Sequence, residues 1–120
     1  MKRIFVALMV AFVAGCATSP ATDLGIDMAV ADSVTFMRPY ELSRTDVNFT
    51  ALGEVQGASC QVNRFAAEPT QQEALLRLKV AAAELGANHV VLRQCRQQQS
   101  DECRSQWLCT GDAFQSQPLR

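Results

Sequence analysis

The chain of 120 residues contains 48% hydrophobic, 19% charged and 7% aromatic residues, with 11 basic and 12 acidic side chains and a formal net charge of -1. A chain of this length forms a single domain, and its apolar content together with only 6 Gly and 4 Pro excludes a disordered or collagen-like protein. The nearly balanced charge argues against a protein that binds nucleic acid.

Residues 1–15 have the pattern of an export signal. Lys2 and Arg3 precede an unbroken apolar run over residues 4–14, and Gly15-Cys16 follows. As a helix this run would be only about 16 Å long, well short of the ~20 residues that a bilayer span requires. We therefore expect a cleaved signal peptide and no permanent transmembrane helix.

The last residues of this signal, Val13-Ala14-Gly15-Cys16, resemble the lipobox of bacterial lipoproteins. The resemblance implies that the mature chain starts at Cys16 and that the thiol of Cys16 carries the membrane lipid. Several acyl chains anchor a protein durably, whereas a single chain holds it only marginally. The alternative is an ordinary secretory signal with a cysteine present by chance. An Asp after the cysteine favours the inner membrane in such lipoproteins, and because Ala17 stands there we expect the outer membrane.

Residues 16–46 are predicted to form the lipidated N-terminus and a flexible linker. Their composition is mixed, with Asp, Gly, Ser and Pro scattered among short apolar pieces. One candidate strand runs from Val34 to Met37, and Arg38-Pro39 would end it.

Residues 47–55 alternate between apolar and polar side chains, which predicts a β-strand. Gly53 interrupts the alternation and indicates a β-bulge. Residues 56–59 are rich in small and polar side chains, so we expect a turn that leads into Cys60.

A helix is predicted to begin at Thr70, because Thr70 and Glu73 have the spacing of a capping box. Gly86 provides the stop, and Glu73 and Arg77 form a well-oriented i,i+4 pair. An apolar stripe at helical spacing is predicted to face the core. It consists of Leu75, Leu78, Ala82 and Leu85.

The rest of the chain is predicted to hold two strands around a polar loop. Residues 90–92 form the second strand, residues 93–104 the loop, and residues 107–114 the third strand, with residues 115–120 as a frayed tail. The predicted fold is a small α+β domain over residues 47–114. Its order is strand-helix-strand-strand, with one helix packed on an antiparallel sheet.

Four cysteines remain once Cys16 is assigned to lipid: Cys60, Cys95, Cys103 and Cys109. An even number in a small exported domain predicts two disulfides. A domain of about 70 residues buries little surface, so such cross-links would supply a large share of its stability. Four cysteines allow three pairings.

A register argument ranks these pairings. If the strand 107–114 runs antiparallel to the strand before the polar loop, a register with Cys95 opposite Cys109 also places Leu92 opposite Asp112. Cys95 and Cys109 could then be joined across two strands.

In that arrangement Cys103 lies in the polar loop and is free to reach Cys60. Pairing Cys103 with Cys109 would need a compact turn, because six extended residues span about 20 Å and a disulfide needs Cα atoms within about 7 Å. This pairing therefore ranks last.

No motif for catalysis, metal or a cofactor is found. The cysteines are separated by 35, 8 and 6 residues, whereas zinc and thioredoxin-like redox sites use Cys-x-x-Cys spacing. A cysteine nucleophile needs a histidine, and the single candidate, His89, is predicted to be a side chain at a strand edge. Gly-rich phosphate loops, serine elbows and carboxylate pairs are absent from the sequence. We expect a protein that is not an enzyme, with no cofactor, no metal and no small-molecule substrate.

The cysteine spacing and the motifs beside it resemble the RcsF family of outer-membrane lipoproteins, which belong to the Rcs envelope stress response. The matching residues are Leu52-Gly53-Glu54-Val55-x-Gly57-x-Ser59-Cys60, Ala87-Asn88-x-Val90-Val91-Leu92-x-x-Cys95, Cys103 and Cys109-x-Gly111. The resemblance covers about residues 50–114 and the lipobox. It implies two crossed disulfides, Cys60 with Cys103 and Cys95 with Cys109.

The resemblance also implies a function and partners. In that family the domain senses damage to the outer membrane or peptidoglycan and contacts the inner-membrane repressor IgaA, and it associates with BamA and porins. We therefore expect a non-enzymatic sensor whose domain faces the periplasm. The alternative is a structural or assembly accessory lipoprotein that binds outer-membrane proteins without signalling. The linker departs from the Pro-rich, basic segment known in the family, which puts threading through a porin in doubt.

Overall fold

The computed structural model describes residues 25–119. The predicted signal peptide and Cys16 lie outside these residues. The described elements are α1 (Met28–Asp32), β1 (Thr35–Met37), a 3-10 helix (Pro39–Ser43), β2 (Val47–Gln61), α2 (Gln71–Glu84), β3 (His89–Gln98) and β4 (Ser105–Pro118). None of the helices in this range is long and apolar enough to cross a membrane.

The four described strands form one sheet in the order β1-β3-β4-β2. β4 pairs antiparallel with both β2 and β3, as the sequence predicts, while β1 pairs in parallel with β3. The sheet is therefore mixed rather than antiparallel throughout. The parallel pairing arises because α1 and β1 precede the predicted domain and reach the free side of β3.

Helix α2 packs on one face of the sheet. The side chains of Ala74, Leu78 and Ala82 are completely buried there, whereas Leu85, which was expected in the same stripe, is 48% exposed. Leu85 follows the last residue of the helix as its C-cap, and Gly86 has a positive φ of 88°, the conformation expected of a helix stop. The helix and its stop are thus confirmed.

Only half of the predicted capping box is present. The Glu73 amide donates to Thr70 Oγ1 over 3.1 Å, as expected. The Glu73 carboxylate accepts instead from Arg77 Nε at 2.8 Å, in the predicted i,i+4 pair. The Thr70 amide donates to Ser59 Oγ over 3.0 Å, so a contact with β2 replaces the local one.

The three long strands extend beyond the predicted boundaries. Strand β2 continues through residues 56–59, which were predicted to turn, and β3 continues through residues 93–98, predicted as loop. Strand β4 continues through residues 115–118, predicted as a frayed tail, and pairs them with residues 47–50 of β2. These polar stretches have only a weak local preference for the extended conformation. Pairing with a neighbouring strand satisfies their backbone hydrogen-bonding groups, and this gain outweighs the weak preference.

Two β-bulges adjust the register. The predicted bulge at Gly53 is confirmed by a shift of pairing between Ala51 and Gly53. A second shift, between Leu92 and Gln94 on β3, leaves Arg93 as the extra residue. Leu92 consequently lies opposite Gly111 rather than the predicted Asp112.

Part of the segment that was predicted to be a flexible linker contributes to the core. The candidate strand at Val34 to Met37 is present as β1, and α1 precedes it with Asp27 as N-cap, whose Oδ1 accepts from the Ala29 amide over 3.0 Å. Ala31 is fully buried and Val34 is 1% exposed. From Gly25 onward the structure differs from the predicted flexible linker, because Val34 packs into the same core as Leu78 and Val90.

Candidate functional site: the disulfide-linked end and the open face of the sheet

Two disulfides join the four described cysteines. Cys60 is bonded to Cys103, with Cα atoms 5.4 Å apart, and Cys95 to Cys109, with Cα atoms 4.0 Å apart. This is the same pairing that the resemblance implies. The second bond joins β3 to β4 directly, while the first ties the end of β2 to the loop between β3 and β4, so all four thiols are used for cross-linking.

The disulfide between Cys60 and Cys103 defines one end of the domain. At this disulfide-linked end, the Arg104 amide donates to the Gln61 carbonyl over 2.7 Å beside the covalent bond. Within the loop, the Cys103 amide donates to Ser100 Oγ over 3.1 Å. The loop before β4 is therefore held to β2 by both covalent and hydrogen bonds.

The loop after β2 exposes two apolar side chains at the same end. Phe65 is 91% exposed and Val62 is 64% exposed. The loop is nonetheless organised, because the Phe65 amide donates to Asn63 Oδ1 over 2.8 Å and Gln61 Nε2 donates to the Ala66 carbonyl over 3.0 Å. An ordered turn thus presents an aromatic ring to solvent, which is a feature of protein contact surfaces.

The face of the sheet opposite α2 carries a group of three charged side chains. Arg93 Nε lies 2.8 Å from Asp112 Oδ2, and Arg93 Nη1 lies 3.7 Å from Glu54 Oε2. The hydrogen bond to Asp112, and then the charge of that carboxylate, raise the pKa of Arg93 above its ordinary value. Arg93 and Glu54 are about half exposed and Asp112 is 30% exposed, so the group orients charge on the open face more than it stabilises the fold.

At the other end of the domain, His89 belongs to a polar network with Asn88 and Ser116. Asn88 Oδ1 accepts from the Ser116 amide over 2.8 Å, which fixes the orientation of the Asn88 side chain. His89 Nδ1 lies 2.9 Å from that same oxygen and 3.1 Å from Ser116 Oγ. The ring also meets Phe49 edge-on, with centroids 6.0 Å apart. His89 lies at the start of β3, as predicted, and its ring joins β3 to β2 and β4.

The described residues offer no free thiol that could act as a nucleophile beside His89. Their four cysteines are oxidised, and His89 is six residues along β3 from Cys95, about 20 Å at the rise of a strand. Residues 25–119 also contain no group of three or more His, Cys, Asp or Glu side chains placed to hold a metal ion.

A family model of RcsF lipoproteins matches residues 15–117. The chain belongs to the RcsF lipoprotein family. No curated protein that was searched matches this chain. Membership of the RcsF family makes the chain an Rcs-related lipoprotein of a signalling family rather than of an enzyme family, and implies a lipid anchor.

Several features of the open face and the disulfide-linked end were missed at the sequence level. The ion pair of Arg93 with Asp112 joins residues 19 apart in sequence and depends on the bulge that turns Arg93 to the open face. The exposed Phe65 could have been identified from the sequence, because it is a lone aromatic residue between Arg64 and the Pro69 that precedes the helix. Its organised turn depends on Gln61, which was not expected to be in a strand.

Proposed function

We propose that this chain is an outer-membrane lipoprotein that senses envelope stress and signals to the Rcs phosphorelay by protein–protein contact. The lipid on Cys16 anchors it, and the domain held by the disulfides Cys60–Cys103 and Cys95–Cys109 presents the contact surface in the periplasm. The observation that carries this proposal is the match to the RcsF lipoprotein family over residues 15–117. IgaA is the proposed signalling partner, and BamA and porins are further proposed partners.

The geometry of the domain supports signalling by contact. The chain reaches the domain at Gly25, beside a cleft of about 280 Å³ that also involves Val80 and Glu84 in the C-terminal half of α2. The disulfide-linked end lies near the N-terminus of α2, since the Thr70 amide bonds to Ser59. Gly25 and the exposed Phe65 loop thus lie near opposite ends of α2. A partner can approach that end while the N-terminus remains anchored.

Deletion of the gene tests the signalling role. Induction of the capsule regulon after damage to the outer membrane is expected to disappear and to return when the wild-type gene is restored. An unchanged response in the deletion strain would contradict the proposal.

The anchor is tested by the substitution Cys16→Ser, which removes the proposed acylated thiol. The variant is expected in the soluble periplasmic fraction, whereas Cys60→Ser, which leaves the lipobox intact, should remain in the membrane fraction. Membrane anchoring of the Cys16→Ser protein would refute the lipid assignment.

Crosslinking in cells separates signalling from the accessory role. Recovery of the inner-membrane repressor supports the sensor. Recovery of barrel proteins alone would favour an assembly accessory.

A further inference from the structure

The outer side of β3 has a vacant stretch of strand edge. β1 lies along this side but pairs only with His89, Val90 and Val91. Pro39 lacks an amide hydrogen, and the chain turns there into the 3-10 helix, so β1 does not continue. No described strand pairs with the outer side of β3 beyond Val91. We call the stretch from Leu92 to Gln98 the open edge.

The register identifies which backbone groups of the open edge are free. The Cα atoms of Cys95 and Cys109 are 4.0 Å apart, which is typical of a non-hydrogen-bonded antiparallel pair. In such a pair the amide and carbonyl groups of each residue point away from the partner strand. The N–H and C=O groups of Cys95 therefore point outward, and so do those of Gln97, two residues further along.

The bulge at Arg93 does not change the direction of the backbone groups on the N-terminal side of Cys95. Gly111 is two residues from Cys109 on β4, and its partner Leu92 is accordingly also a non-hydrogen-bonded residue. The outward-pointing groups include those of Cys95 and Gln97, and no described strand other than β4 pairs with these two residues. The open edge is about 20 Å long, which is enough for a strand of average length.

The charge beside the open edge specifies the chemistry of a suitable partner. Arg93 is already paired with Asp112 and Glu54. Arg96, in contrast, is exposed and has no ion pair or hydrogen bond with a described residue, and the residue opposite it on β4 is Leu108. The stretch 92–98 contains no acidic residue. A carboxylate on an added strand would meet an uncompensated guanidinium here.

We propose that the open edge binds an extended segment of a partner protein by strand addition, with an acidic side chain of that segment facing Arg96. The added strand continues the line of β1 along β3, and its backbone pairs with Cys95 and Gln97. The proposal rests on the proposed function, because it takes the partner to be a protein of the cell envelope. Its test uses the purified chain, so its outcome does not depend on signalling.

The experiment titrates the full-length chain, in detergent micelles, with a nine-residue peptide of alternating Thr and Val that has Glu at its centre. Amide hydrogen exchange and chemical shifts are followed by NMR. Peptide binding is expected to slow exchange of the Cys95 and Gln97 amides. The amides of Gln94 and Arg96, which point towards β4, serve as internal controls because they are protected in both states.

Two variants separate backbone pairing from side-chain contact. Gln97→Pro removes an outward amide without removing a bond to β4, and it is expected to weaken peptide binding at least tenfold. Gln97→Ala keeps the amide and should bind within twofold of wild type. Equal binding by Gln97→Pro and Gln97→Ala would overturn the proposal.

A charge exchange keeps the test valid if Gln97→Pro does not fold. Arg96→Glu should weaken binding of the Glu peptide about threefold and strengthen binding of a matched Lys peptide about threefold. Failure of the wild-type chain to bind the Glu peptide would overturn the proposal, and so would protection of the β2 edge in place of Cys95. A dimer that forms without peptide and is lost in Gln97→Pro would show that a second copy occupies the edge, which also refutes it.

Discussion

Gly57 on β2 lies directly against the backbone of α2, where a side chain has no room. A Cβ atom built on Gly57 would lie 2.7 Å from the Cα of Leu78 and closer still to the carbonyl oxygen of Ala74. Both neighbours are helix backbone, which cannot rotate away as a flexible side chain can. The close approach brings the helix onto the sheet and buries Leu78 completely.

Gly57→Ala is expected to destabilise the domain by about 1–3 kcal/mol, because the added methyl group forces α2 away from the sheet. The free energy of unfolding is measured by urea titration under non-reducing conditions. Gln56→Ala, one residue away on the exposed face, is the matched control and should change stability by less than about 0.5 kcal/mol. Equal stability of Gly57→Ala and wild type would show that the helix does not approach this closely.

Each disulfide is expected to stabilise the domain through the loop that it closes. Loss of the Cys60–Cys103 bond, which spans 43 residues, should lower the free energy of unfolding by about 4 kcal/mol in the chain-entropy relation. Loss of the Cys95–Cys109 bond, which spans 14 residues, should lower it by about 3 kcal/mol. The two double alanine variants are compared with wild type by urea titration.

Tryptic mapping without reduction tests the pairing itself. Cleavage after Arg64, Arg93, Arg96 and Arg104 places the four cysteines on four different peptides. Mass spectrometry should find the Cys60 peptide joined to the Cys103 peptide, and the Cys95 peptide joined to the Cys109 peptide. Any other pair, or four reduced thiols in protein isolated from its envelope, would contradict the arrangement.

Removal of residues 115–120 is expected to destabilise the domain by about 1–3 kcal/mol. The truncation deletes four cross-strand pairs between β4 and the start of β2, each contributing about 0.2–1 kcal/mol. It also removes Ser116, which is bonded to Asn88. Truncation after Leu119 is the control, since it leaves the β2–β4 pairs and the bond from the Leu119 amide to the Asp46 carbonyl intact. A frayed tail, as predicted from its polar sequence, would make the two truncated proteins equally stable.

The ion pair of Arg44 with Asp46 predicts a small, acid-sensitive contribution to stability. The hydrogen bond from Arg44, at 2.6 Å, lowers the pKa of Asp46 below its ordinary value of 3.8. A lowered folded-state pKa means that the stabilisation is complete above the unfolded pKa. It is lost as the pH falls through the folded pKa. Arg44→Gln should raise the pKa of Asp46 towards 3.8 in an NMR titration, whereas Arg104→Gln should not change it.

Local chemistry in the sequence determined the boundaries of α2 and the bulge at Gly53. Thr70 supplies a side-chain acceptor at the first turn and Gly86 supplies a positive φ, and both effects act within four residues. The number of cysteines likewise indicated two disulfides without reference to the fold, because that inference needs only composition and an export signal.

Only the tertiary structure decided where the polar strands end and that Gly57 has no room for a side chain. Residues 93–98 are polar enough to be read as a loop, yet pairing with β4 and the Cys95–Cys109 bond keep them extended. The constraint at Gly57 comes from the distance to α2 and not from its own backbone angles, since the described glycines with positive φ are Gly25, Gly53 and Gly86. Strand pairing and helix packing bring together residues that are far apart in the chain. The local sequence pattern therefore does not predict these contacts.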